Sequence, residues 1–591
     1  MGPIARTVLA AAFLCGACTA PPPAEDASGE ASAPVAEAPA PATTIYRGGA
    51  ILTVDGAGTV AQALAVRGDE IAAVGDEGDV LALAGPDTRV VDLAGRALAP
   101  GFVDAHGHLT LVARFAQTVN VASPPVGPVR SIKELQDLLR RHIDEQHIPV
   151  GQVIVGTGYD DALLAEHRHP DKFDLDAVST SHPILLVHVS SHLVTANQAM
   201  LDAAHVDETT PDPPGGVFRR VEGSREPNGV MEEHAMYAGF RAMPQPTPAQ
   251  LLGALGDAQR EYARYGFTTV QDGATDAASF RLLRAANANG ALFLDVTAYP
   301  TWADFDGVVA ELEAEGGAVG RYDGHLVLRG GKLVLDGSPQ GRTAWLTKPY
   351  HRVPAGKPAD YAGYPALDDE VVYAFASKLR ARGIPVLAHA NGDAAAEQWI
   401  RTVERIEREQ GPADWRPVMI HAQALRRDQL PRMAALGMIP SFFVAHTFYW
   451  GDWHRDVVFG PERAAAISPA ASALEAGLRV TIHNDAPVVP PKGAFLLWTA
   501  VNRVTRSGKV LGPDERLTPL EALRAITIDA AYQAFEERRK GSLEPGKLAD
   551  LVVLSASPLD VEPDAIRDIE VVETIKAGRT VWSADAPNAS R

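Results

Sequence analysis

Pro100-Gly-Phe-Val-Asp-Ala-His106-Gly-His108 is an apolar run that closes on two imidazoles. The histidines are two positions apart, so on an extended strand both point to the same side. At a strand end they make half of a metal site. A His-x-His pair carries little by itself; recurrence of the pattern decides the reading. Farther along the chain, Ile384-Pro-Val-Leu-Ala-His389, Val418-Met-Ile-His421 and Val480-Thr-Ile-His-Asn-Asp485 also close apolar runs on metal-type ligands. Lys332 sits within the apolar segment 329–336, where an unmodified ammonium is costly to bury. Strand candidates fall at 97–105, 266–272, 292–299, 325–336, 384–389, 418–421, 438–445 and 478–485, with helix-length segments between them. Eight such units predict an α/β fold, a (β/α)8 TIM-like barrel at 100–540 with its chemistry at the C-terminal strand ends.

The gap between the first two strands is far too long for a βα loop. It predicts an inserted subdomain at 110–265, with the default role of a lid or substrate cover. Alternating runs at 45–54, 62–67 and 70–75, and again at 549–554 and 571–581, read as short antiparallel strands. They predict a small β-sandwich assembled from both chain ends, residues 44–99 and 541–585. Thr518-Pro519 opens a capped structural helix, with Thr at the N-cap and Pro in the first turn.

The chain has 591 residues and two cysteines, Cys15 and Cys18. Beyond residue 18 there is no thiol for a nucleophile, an iron–sulfur cluster, a Cys-ligated zinc module or a disulfide. Metal ligands must therefore be His, Asp, Glu or Lys. The net charge of −20, without long single-sign runs, argues against nucleic acid as a partner. Arg6, an apolar run to Leu14 and the lipobox-like Gly16-Ala17-Cys18 predict a lipoprotein signal over 1–17. Cys18 is then the lipidated residue. The Pro/Ala-rich 18–43 is a tether to a bacterial envelope membrane, on its periplasm-facing side. The apolar run is too short to span a bilayer.

Together these pieces carry a resemblance: PGFVDAHGH at 100–108, PNGVMEE at 227–233, GFTTVQD at 266–272, GGKLVLDGSPQGRTA at 330–344, LAHANGD at 387–393, MIHAQAL at 419–425, HNDAPV at 483–488 and GSLEPGKLADLVVL at 541–554. The chain resembles the metal-dependent amidohydrolase superfamily, in its YtcJ-like amidohydrolase 3 branch, over residues 44–582. The resemblance implies one or two divalent metal ions, usually zinc. His106 and His108 would ligate the first, and His389 and His421 the second. Lys332 matches a lysine that family members carboxylate into a bridging ligand. Asp485 would bind the first metal and serve as general base, then acid. His446, at the end of strand seven, and His192, in the insertion, are candidates to stabilise an oxyanion.

Weaker expectations attach to Glu233, to Asp336 and Arg342 as substrate contacts or partners of each other, and to Trp345, Phe448, Tyr449 and Trp450 as pocket walls. His325, His454 and the HRH at 167–169 read as solvent-exposed or supporting residues. The expected reaction is hydrolysis of a non-peptide C–N bond in a small-molecule amide. A lactone or ester hydrolase, a metal-dependent isomerase on the same scaffold and a non-catalytic binding lipoprotein remain as alternatives. Substrate identity and oligomeric state are not encoded in the spacing, and an oligomer stays open.

Overall fold

Barrel strand one is Phe102–Val103, and strands two and three are Phe267–Thr275 and Asp295–Pro300. Strand four comes in two pieces, Leu326–Leu328 and Gly331–Val334; strands five to eight are Val386–Ala390, Val418–His421, Ile439–Phe442 and Thr481–Ile482. This architecture comes from a computed structural model, which describes residues 40–244, 246–354 and 356–586. The expected signal segment and Cys18 lie outside the described residues.

Neighbouring barrel strands pair in parallel. At the seam within strand four's turn of the ring, Trp302 N–H donates to Lys332 O at 2.9 Å. At the seam between strands eight and one, Asp485 N–H donates to His106 O (3.2 Å) and His108 N–H to Ala486 O (2.9 Å). The strands read as near-continuous apolar runs because both of their faces are covered. Phe102, Phe267, Val296, Leu333, Ala388, Met419 and Ile482 share one core with the surrounding helices.

Two strand predictions need correction. The run 97–105 is split: Ala97–Pro100 pairs antiparallel with Leu551–Leu554 in the terminal sheet, and Phe102–Val103 enters the barrel. The exchange happens at Gly101, where a Cβ would stand 2.3 Å from Thr268 Cγ2. The run 325–336 breaks at Arg329, whose side chain turns away to an ion pair with Glu536. Local periodicity shows neither break, because each is set by a partner distant in sequence.

The chain ends build one hydrogen-bonded sheet of eight strands, with Ala97–Pro100 joining Thr44–Leu52 to Leu551–Leu554. Ile51, Leu64 and Leu98 share an apolar cluster with Leu551 and Ile575. The long insertion carries its own six-stranded sheet, from Val119–Asn120 to Pro227–Glu233. Ile184 and Leu186 face one core with helix Ile132–Glu145, whereas Leu185 and Val187 face another with Gln198–Ala203, the two-residue period of a strand. Helix Pro248–Arg264, counted with the insertion from the sequence, packs Leu255, Ala258 and Tyr262 into the barrel core instead. The Thr518 cap forms as expected: its side chain accepts Glu521 N–H ahead of helix Pro519–Ala525. No helix among the described residues is long and apolar enough to cross a membrane.

Candidate metal centre

His106 and His108 leave strand one with their rings 4.9 Å apart. Asp485, just after strand eight, places one carboxylate oxygen 3.1 Å from His108 Nε2 and 3.6 Å from His106 Nε2. Its other oxygen is 3.9 Å from Nε2 of His421, the last residue of strand six. Lys332 on strand four brings Nζ to 3.1 Å from His106 Nε2. His389 on strand five lies with its ring 4.5 Å from that of His421. All six line one cavity of about 1030 Å³ at the barrel mouth. His421 and Asp485 both have positive φ, 71° and 55°, a strained setting for side chains that bends them off their strands toward this point.

The surroundings prepare these groups as ligands. Gln271, on strand two, donates its amide N–H to Ala105 O (2.9 Å), which turns its oxygen to His106 Nδ1 at 2.7 Å. His106 Nδ1 is therefore the protonated nitrogen, and the Nε2 lone pair faces the centre. Gly273 leaves room for this ring: a Cβ there would meet His106 Cε1 at 2.4 Å. His421 Nδ1 lies 3.1 Å from His483 Nε2, whose Nδ1 meets Ser441 Oγ at 2.9 Å. Burial holds His106, His389 and His421 well below the usual imidazole range, so they are neutral, as ligands must be. Burial pushes the Lys332 amine down to about 7. Burial also opposes charge on Asp485, but His108 and His106 outweigh it and hold the carboxyl below the carboxylate range. One oxygen of that buried carboxylate has no hydrogen-bond partner among the described residues. A carboxylate oxygen without a hydrogen-bond partner, facing the Nε2 atoms of His108 and His106 while its twin faces His421, fits a divalent cation.

Residues 89–582 match the amidohydrolase family. The chain belongs to that family. It is 30% identical over 543 residues to N-substituted formamide deformylase of Arthrobacter pascens, covering 89% of this chain and 96% of the relative. It is 26% identical over 562 residues to the putative amidohydrolase YtcJ of Bacillus subtilis strain 168, covering 91% and 99%. A solved uncharacterized metal-dependent hydrolase from Pyrococcus horikoshii OT3 matches it with a TM-score of 0.68 at 25% identity, over 88% and 99% of the two chains. The protein is a metal-dependent amidohydrolase, a hydrolase of carbon–nitrogen bonds.

In this amidohydrolase the insertion reaches the centre through His192 and Glu233. His192 Nδ1 is 2.7 Å from Glu233 Oε2, its ring is 4.9 Å from that of His389, and both residues line the cavity. Burial opposes charge on His192, but the Glu233 carboxylate outweighs it and raises the imidazole above its usual range.

Other expected positions fall elsewhere. His446 is buried away from the cavity, its Nδ1 2.9 Å from His454 Nε2 and its ring against Phe443 and Trp450. Aromatic packing, rather than the end of strand seven, decides where it points. Asp336 is wholly buried and accepts N–H groups from Trp345, Asn391 and Gly392. It clamps the loop after strand five, stands 3.2 Å from His389 Nδ1 and is not part of the cavity wall. Arg342 does not pair with it; its guanidinium lies 4.0 Å from Asp161 and over Trp453. Tyr449 and Trp450 line a smaller cavity of about 290 Å³, whereas Trp345 and Phe448 pack on the barrel core.

Sequence reasoning passed over His169, which is buried and joins Asp161 and His188 in a second His/Asp cluster. There Ser190 N–H donates to His188 Nδ1 at 3.2 Å, which puts the ring proton on Nε2, 3.1 Å from Asp161. That nitrogen donates to a carboxylate and has no lone pair for a metal. Gln271 and His483 were also passed over. Their signal was a polar residue closing a buried run, GFTTVQ and VTIH, the same cue that marked the ligands.

Proposed function

We propose that this amidohydrolase hydrolyses a non-peptide, amide-like C–N bond in a small molecule, with Asp485 moving the proton. The observation that carries the reading is the Asp485 carboxylate, met by Nε2 atoms of His106 and His108 from strand one and of His421 from strand six. Imidazole and carboxylate donors suit zinc, as one ion or two. His106, His108 and Asp485 would hold the first ion; His389 and His421 would hold the second, with Lys332 between them. A divalent ion there supplies a Lewis acid that acidifies water and polarises a carbonyl.

Asp485 takes a proton from the attacking water as the water adds to the carbonyl carbon. It returns that proton to the nitrogen as the C–N bond breaks, and ends ionised as it began. His192, its Nδ1 held on the Glu233 carboxylate, lines the cavity and would donate a hydrogen bond to the oxyanion. Lys332, with its amine pushed to about 7, is substantially neutral at physiological pH. That form adds carbon dioxide and releases a proton, which turns a costly buried cation into an anionic ligand. Native mass of the intact protein, raised by one carboxylate and restored by acid treatment, tests this modification.

The Arthrobacter pascens relative is named for N-substituted formamides, and that class heads the substrate panel. The panel continues with other amides, esters and lactones. Asp485→Asn should lower turnover about 10²–10⁴-fold, the range for a lost general acid–base. Unchanged turnover in that variant, or turnover of esters and lactones alone, would contradict the reading. The chain would work at the envelope membrane through lipid on Cys18; fatty-acid labelling that survives in Cys18→Ser would refute this anchor.

A further inference from the structure

We propose that the substrate carries a large apolar arm, of drug-like or acyl-chain size, which the insertion receives while the amide group sits at the metal centre. This rests on the C–N hydrolase reading above and names the class of molecule. One cavity holds both ends. His106, Lys332 and Asp485 line its floor, and the insertion lines its far wall.

Size is the first argument. About 1030 Å³ lies at the top of the range for drug-sized ligands, about 300–1,000 Å³. A small amide with its ion and water fills only a minor part of it. Wall chemistry is the second. Phe115, Val155 and Phe240 line the cavity while packing against the insertion's own apolar core, so they present half-buried hydrocarbon on a firm backing.

The rim is the third argument. Tyr237, on insertion helix Met236–Ala242, and Trp302, after barrel strand three, are 47% and 40% exposed. They come from separate parts of the chain yet border the same opening. Large aromatics left exposed on both sides of an apolar cavity mark a hydrophobic ligand's path. The two carboxylates beside them are already engaged: Asp276 accepts Ser279 N–H, and Asp304 accepts the Thr301 hydroxyl at 2.7 Å.

The test is calorimetric binding to metal-loaded Asp485→Asn protein, with two series that place the arm on either side of the amide. One runs from N-ethylformamide to N-octylformamide, the other from N-ethylacetamide to N-ethyldecanamide. Full burial of a methylene tightens binding about fourfold. In at least one series the long member should bind at least about 30-fold tighter than the short one. Tyr237→Ser with Trp302→Ser, both at exposed sites, should remove a large part of that gain and leave the short member unchanged. Affinities flat to within about threefold in both series, or a gain untouched by the rim variant, overturn the proposal. Because binding is read without turnover, the two ideas separate. Long members that bind but are not cleaved by the unaltered enzyme uphold the arm and refute the hydrolysis of this class. Cleavage of short amides with flat affinities does the reverse.

Discussion

Gln271 decides which nitrogen of His106 is free, and it lies 165 positions away in sequence. The candidate ligands were legible because residue type and place coincide: an imidazole or carboxylate ends an apolar run. Gln271 and His483 carry the same cue, but which ring each one holds was not readable, since the Gln271–His106 and His421–His483 contacts join different strands. His446 is the opposite case. It occupies the expected position at a strand end, yet its ring is stacked on His454 and is not part of the cavity wall. Gln271→Ala should weaken metal binding about 10–100-fold in chelator competition, as loss of a ligand's orienting partner does elsewhere, with the circular dichroism spectrum unchanged. Unaltered metal affinity would mean that the amide does not fix the tautomer.

At the scale of elements, the barrel's order was readable and its interruptions were not. Apolar runs of strand length recur eight times, but the breaks at Gly101 and Arg329 depend on Thr268 and Glu536 across the fold. The loop after strand five shows how an element is held for function. Asp336 binds its backbone at Asn391 and Gly392, and the neighbouring strand end carries His389. Asp336→Ala leaves three buried N–H donors unpaired, at about 1–3 kcal/mol each when fully desolvated. Urea unfolding should show a loss of at least about 2 kcal/mol, together with reduced metal retention. Wild-type stability in this variant would show that the loop has another anchor.

Across the whole molecule, the pairing of both chain ends in one sheet followed from their alternating patterns. The insertion's six-stranded sheet did not, because its strands mix parallel and antiparallel neighbours over long connections. The terminal sheet is fastened to the barrel by buried charge. Asp295, at the start of strand three, accepts Lys576 Nζ (2.7 Å) and His325 Nδ1 (2.8 Å) and also pairs with Lys540. Lys576 in turn reaches Asp550 at 2.8 Å. Burial opposes ionisation of Asp295, but Lys540 and Lys576 outweigh it and hold the carboxyl well below its usual range. A depressed folded pKa contributes stability above the unfolded value of about 3.9 and loses it as the pH falls through and below that point. The melting temperature should therefore drop below about pH 4. Asp295→Ala, which takes one carboxylate from each of two buried ammonium groups and leaves Lys540 to Glu536 and Lys576 to Asp550, should cost about 1.5–3 kcal/mol and flatten that acid limb. An acid limb of unchanged depth in the variant would assign it to other carboxylates.

The central claim is that the ring of strand-end ligands forms a metal centre that hydrolyses a C–N bond. Its most direct test is to strip the metal with a chelator, return zinc in measured amounts, and follow both bound metal and formate release from an N-substituted formamide. Activity should vanish on stripping and return in proportion to bound zinc, saturating at one or two equivalents per chain, and His106→Ala should neither retain the metal nor recover. Full turnover by the stripped protein, or recovery in His106→Ala equal to that of the unaltered chain, would contradict the account.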